Sequence, residues 1–138
     1  MRRYGCLLLW LTAIIFPLGW LTRFPGGYRQ MFDALFSPEW VHVTLHILLF
    51  AGLSILLIWV FQPRPSSRTV GMLLGAAVLV GWLQEIAQAI SRDYFGLAGI
   101  VFDLGVDLSG AALGLAGGFW LLRKINGRPK RSSPDFKA

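Results

Sequence analysis

Side chains able to do chemistry occur in this sequence where an apolar setting should exclude them. The run from Gly81 to Gly114 is apolar enough for a lipid bilayer, yet it carries Glu85, Gln88, Arg92, Asp103 and Asp107, and an earlier apolar run carries His42 and His46. A charged side chain at the bilayer centre costs about 2.5–3.5 kcal/mol on insertion scales, and less towards the ends, so such residues face a protein interior or water and have partners. Carboxylates held close together in low dielectric divide their protons unequally, giving a protonated acid beside an ionised base. With His46 as partner, Glu85 and Asp107 could therefore serve as acid and base in hydrolysis or group transfer. Arg92 could hold an anionic group, with Gln88 and Asp103 as further ligand contacts. No serine, cysteine or phosphate-cradling loop joins them; Ser91 and Ser109 read as turn and packing residues.

Two other chemistries use the same residues. His46, Glu85, Asp103 and Asp107 offer one imidazole and three carboxylates to a divalent ion of the Zn, Mn or Mg type, although their spacing is no recognised metal motif. A histidine in a membrane helix can also ligate haem or chlorophyll, but His42 and His46 share a helix and cannot be the two axial ligands of one haem. A non-catalytic reading stands beside these. Glu85 pairs with Arg92 or His46, Gln88 bridges, the aspartates sit near a helix N-terminus where negative charge is favoured, and the whole forms a polar lock that fixes the helices.

The elements that must position these residues follow from composition. In 138 residues, one domain's length, hydrophobic side chains make up 55% and charged ones 14%. The mean hydropathy is +0.59, and the apolar residues fall in long blocks, so the chain reads as an all-α integral membrane protein. Behind the net charge of +6, the basic residues cluster at the N-terminus, in one short loop and in the C-terminal tail. That is the pattern of topology determinants and anionic-lipid contacts, and it argues against nucleic acid. Cys6 is the only cysteine, which excludes an intrachain disulfide and a thiolate cluster and leaves a small buried hydrophobe.

Four spans are predicted, at about residues 4–22, 40–61, 70–90 and 99–122. The first follows a basic MRRYG; with no small-x-small site after the apolar run, it reads as a retained helix kinked at Pro17. Between the first two spans, Tyr28, Met31, Phe32, Leu35 and Phe36 recur at helical spacing, which predicts a short interfacial helix ended by Ser37-Pro38. The loop QPRPSSRT separates spans two and three. Residues 123–138 read as a basic, disordered tail. Arg2, Arg3, Arg64, Arg68 and the tail's Arg123, Lys124, Arg128, Lys130, Arg131 and Lys137 fall on one side, and Arg23, Arg29 and Arg92 on the other. The positive-inside rule then puts both termini in the cytoplasm and gives a four-helix antiparallel transmembrane bundle, N-in and C-in. Trp20 and Trp40 mark its outer boundary, Trp59 and Trp120 its inner one.

In that topology Glu85 and Gln88 end the third helix, Asp103 and Asp107 begin the fourth, and His42 and His46 begin the second. All fall within the outer third of the bilayer, with His42 near the headgroups. Asp103, Asp107, Gly110, Gly114 and Gly117 form one stripe, and Gly110-x-x-x-Gly114 is a close-packing seam. Gly71, Gly75 and Gly81 supply equivalent positions on the third helix.

The run E-I-A-Q (Glu85 to Gln88), the arginine after it, D-x-x-x-D-x-x-G-x-x-x-G (Asp103 to Gly114) and the upstream H-I-L-L-F (His46 to Phe50) resemble the VanZ-like family of small bacterial membrane proteins. The resemblance covers roughly residues 40–120. His46, Glu85, Gln88, Arg92, Asp103, Asp107 and Gly110 match the family's polar positions. The chain departs from the pattern at Asp107, where the family usually has asparagine, and in the spacing to Arg92. The family takes its name from a teicoplanin-resistance accessory protein. The resemblance therefore implies a multi-pass protein of the bacterial inner membrane with an outward-facing polar pocket for a lipid-linked or glycopeptide-type envelope ligand. Its partners would be the bilayer, with anionic lipids at the basic tail. The alternative from another class is a non-catalytic accessory subunit of a larger respiratory or photosynthetic membrane complex.

Overall fold

The structure, a computed structural model, describes residues 2–16, 30, 34, 38–92 and 96–126, with the side chains of Ser91, Arg92 and Asn126 excepted. Among them are four helices and no strand: α1 (Arg2–Ile15), α2 (Glu39–Phe61), α3 (Ser67–Arg92) and α4 (Leu97–Asn126). The last three are long and apolar enough to cross a membrane. The 23 residues of α2 reach about 35 Å at 1.5 Å per residue, against a hydrocarbon core of ~30 Å. The expected kink at Pro17 and the interfacial helix, with Tyr28, Met31, Phe32, Leu35 and Phe36, lie outside the described residues, as do Trp20 and residues 127–138 of the tail.

The helix ends are set by local chemistry. Helix α2 stops where Gln62 takes a left-handed conformation, φ 46° and ψ 48°, and its N–H donates to the Ile58 carbonyl; Pro63 follows and cannot extend the ladder. Helix α3 begins three residues earlier than the expected Val70. The Ser66 hydroxyl accepts the Thr69 N–H at 3.1 Å, while the Thr69 hydroxyl donates to the Arg64 carbonyl at 2.9 Å. The serine that reads as loop is thus an N-cap. Helix α4 likewise outruns its expected end at residue 122. Arg123 and Lys124 lie in its last turn, where cations complement the exposed carbonyls, and Lys124 Nζ sits 5.1 Å from the centre of the Trp120 ring. The tail therefore starts as helix, a correction to the reading of disorder from residue 123.

Packing fixes how the helices run. Helices α2 and α4 meet along partners in the same order on both, His42 with Asp103 and His46 with Asp107, then Ile47 with Gly110 and Ala51 with Gly114. Residue numbers rise together, so the two helices point the same way. Their seam is made of glycines: a Cβ on Gly110 would fall 2.5 Å from the Ile47 carbonyl oxygen, one on Gly114 would strike the Ala51 backbone, and one on Gly118 would lie 2.7 Å from the Ile58 Cδ1. Gly117, expected in this stripe, is exposed with open space above it. Strict four-residue steps from Gly110 follow one ridge of the helix, and the ridge passes through 118. Gly71 and Gly75 also face open space, whereas Gly81 is the α3 glycine in close contact.

Helix α1 lies on α2 with residue numbers running oppositely. Arg3 covers the Trp59 ring at 5.2 Å, Tyr4 meets Phe61 edge-on, and the Trp10 indole N–H donates to the Leu49 carbonyl at 2.9 Å. Gly52 leaves room for that indole. Leu7 and Ile14 of α1, Phe50, Leu53 and Val60 of α2, Ala77 of α3 and Ala111 of α4 make the core. Outside it the surface is apolar, with Leu48, Ile55, Leu79, Leu113 and Trp120 exposed. The exposed hydroxyls of Thr12, Thr44 and Ser109 bond to their own helix's carbonyls four residues back, which satisfies those three donors within the helix.

The seam predicts a contrast between neighbouring glycines. Gly114→Val should destabilise the fold by about 1–3 kcal/mol by overpacking, while Gly117→Val should change it by less than about 0.5 kcal/mol. Unfolding in mixed detergent micelles checks this; equal effects would contradict the seam.

Candidate functional site

The polar residues assemble where the N-terminal ends of α2 and α4 meet the C-terminal end of α3. Histidines four apart on α2 face aspartates four apart on α4, forming two rungs. In the first, His42 Nε2 and Asp103 Oδ1 are 2.9 Å apart. In the second, His46 Nδ1 and Asp107 Oδ1 are 2.7 Å apart. The two imidazoles lie 4.3 Å apart between ring centres, tilted by 47°. The rungs differ in wetness: the side chains of His42 and Asp103 are 35% and 15% exposed, those of His46 and Asp107 only 6% and 1%.

The two histidines are held from opposite ring nitrogens. Asp107 takes the Nδ1 side of His46, so Nε2 remains as proton acceptor or ligand atom; His42 is held from the other nitrogen. A carboxylate behind an imidazole sets its tautomer and stabilises its protonated form. Helix α3 closes over the inner rung at Gly81, where a Cβ would lie 2.9 Å from Asp107 Oδ2 and 3.7 Å from the Phe50 ring. Among the described residues Asp107 Oδ2 has no hydrogen-bond partner, nor has Oε1 of the buried Gln84. Glu85 is also buried. One turn along, Glu85, Gln88, Ala89, Gly96, Gly99, Ile100 and Asp103 line a cleft of about 110 Å³. Asp103 belongs to both the outer rung and the cleft.

The structure thus brings His46, Asp107, Asp103, Glu85 and Gln88 to one end of three helices. It pairs His46 with Asp107, whereas the polar-lock reading offers His46 or Arg92 as the partner of Glu85. The side chain of Arg92, the last residue of α3, lies outside the described residues. For a metal ion, the donors that converge are those of His42, His46 and Asp103, all within 4.8 Å of one another; Glu85 and Asp107 are not in that group. His42 is no bystander among headgroups, since it forms the outer rung. The clue is in the spacing. His-x-x-x-His and Asp-x-x-x-Asp both put side chains one turn apart on one face, and helices running the same way align them rung to rung. Gln84 and Gly81 carry no chemical signature, and only the packing reveals them.

With this geometry in view, no protein-family model, curated protein or solved structure matches the chain.

Burial ranks the two rungs. His46→Ala strands the Asp107 carboxylate and should destabilise the fold by about 3–5 kcal/mol, whereas His42→Ala in the wetter rung should lose about 1 kcal/mol or less. Asp107→Asn, which keeps a hydrogen-bond acceptor for His46, should lose less than Asp107→Ala. Unfolding in mixed micelles reads all four, and a reversed order of the rungs would contradict the assignment.

Proposed function

We propose that this chain is a VanZ-like, multi-pass protein of the bacterial inner membrane, folded as a four-helix antiparallel bundle with both termini cytoplasmic. Its polar end faces outward and binds the polar part of a lipid-linked or glycopeptide-type envelope ligand. The observation that carries this reading is the acid-lined cleft of Glu85, Gln88 and Asp103 opening beside a histidine–aspartate ladder. Such a lining accepts hydrogen bonds, so it suits hydroxyl and ammonium groups, as on amino sugars, better than phosphate. Its volume of about 110 Å³ admits one such group and leaves the rest of a large ligand outside. If the bound group is modified, His46 is the base that Asp107 orients, and Glu85 is the acid in the cleft.

The opposite end supports the same orientation. Gln62, Pro63, Arg64, Pro65, Phe119, Leu122 and Arg123 line a cleft of about 550 Å³. Two guanidinium groups beside apolar side chains suit an anionic lipid headgroup of the cytoplasmic leaflet.

One observation favours a second reading. The two rungs and the three seam glycines occupy a single interface between α2 and α4, as a polar lock would. The chain would then be a non-catalytic subunit of a larger membrane complex, its exposed apolar side chains meeting protein in place of lipid, and it would migrate with that complex in native electrophoresis.

The test uses the full chain in nanodiscs made with bacterial lipid extract, read by native mass spectrometry, and cells expressing it, read by glycopeptide susceptibility. Glu85→Gln should weaken retention of the ligand by about tenfold or more and abolish any change in susceptibility while insertion is unaffected. Unchanged retention and susceptibility in Glu85→Gln and Asp103→Asn would contradict the proposal.

A further inference from the structure

We propose that His42, His46 and Asp103 form a binding site for one divalent transition-metal ion of the zinc class, with Asp107 positioning His46. The ladder's hydrogen-bonding groups are also a metal-ligand donor set. One ligand atom from each of the three residues lies within 4.8 Å of the others. Two imidazoles and a carboxylate are a three-ligand set suited to zinc and its neighbours, and three protein ligands leave a fourth position open.

The second layer of the site is already built. In metal centres a ligating histidine hands its other ring N–H to a carboxylate, which fixes the tautomer and raises the basicity of the ligand nitrogen. Asp107 does this for His46: its Oδ1 is 2.7 Å from Nδ1, and it is 1% exposed at the side chain, so His46 is left with Nε2 for an ion. That buried carboxylate is an observation independent of the convergence of the three ligands. Its own second oxygen is buried, on the side that α3 approaches at Gly81.

The dimensions are close to what an ion requires. Tetrahedral ligands at 2.0–2.1 Å from zinc stand about 3.3 Å apart. The His42 Nε2 to Asp103 Oδ1 contact, now 2.9 Å, would open by a few tenths of an ångström, and the three ligand atoms, now within 4.8 Å of one another, would draw in around the ion. Charge also favours the ion, because a divalent cation offsets two neighbouring aspartates. The partly exposed His42 and Asp103 give the ion a route in from the polar end. Asp103 also lines the cleft of Glu85 and Gln88, so the open coordination position would face whatever that cleft holds. The site does not depend on the ligand proposed for the cleft: Glu85→Gln should leave metal binding intact even where it removes ligand retention.

The experiment is titration of the untagged full chain in nanodiscs with Zn²⁺ by calorimetry, and with Co²⁺ by its visible absorption. Wild type should take up one ion per chain, and the cobalt form should show the intense bands of a four-coordinate site. His42→Ala and Asp103→Asn, substitutions in the wetter rung, should each lower affinity at least tenfold and weaken the cobalt bands. Asp107→Asn should retain the stoichiometry and lose tenfold to hundredfold in affinity, the range seen when a positioning partner is removed. Circular dichroism of each variant separates loss of the site from loss of the fold. Absence of uptake by wild type, or uptake unchanged in folded His42→Ala and Asp103→Asn, would overturn the proposal.

Discussion

The contact between His46 and Asp107 governs the rest of the structure. A carboxylate that is 1% exposed and an imidazole 2.7 Å from it hold each other in a place where neither is tolerable alone. Their pairing demands that two helices approach closely, at one rotation about their axes and one register. The glycines at 110, 114 and 118 permit that approach by removing the side chains that would keep α4 away from α2. Gly81 lets α3 cover the pair. Polar contact and small-residue seam are two halves of one requirement, and moving either would misalign the other.

Much of this architecture was legible in the sequence, for reasons that differ from residue to residue. Long apolar blocks and Pro- or Ser-rich breaks located α2, α3 and α4 to within a few residues, because nothing shorter buries the backbone of a lipid-exposed helix. The ends were less legible, since Ser66 as a cap and Arg123 as part of a last turn depend on single side chains. The gathering of His46, Glu85, Asp103 and Asp107 at one end followed from alternation of direction alone. Which acid each histidine meets did not. Spacing along a helix fixes which residues share a face, but the rotation of that face towards a neighbour is set by packing. A one-residue difference, Gly118 in place of Gly117, separates the expected stripe from the real one.

The paired spacing of His42–His46 and Asp103–Asp107 shows what could have been read further. Each pair alone is commonplace. Together, on helices separated by one intervening span and therefore running the same way, they specify two rungs. His42 then becomes part of the site, and Asp103 becomes the residue joining the ladder to the cleft of Glu85 and Gln88. The outer rung is partly exposed and the inner one dry, so the ladder has a direction, from His42 and Asp103 at its open end to His46 and Asp107 at its closed one.

The most direct measurement of this account is rotational-echo dipolar recoupling on the chain in lipid bilayers, with ¹⁵N in histidine and ¹³C in the aspartate carboxyl groups. Strong dephasing between His46 Nδ1 and the Asp107 carboxyl carbon, of the size set by the 2.7 Å contact and lost in Asp107→Ala, is the predicted result. A His46 signal that shows no coupling to any aspartate in the folded protein would contradict it.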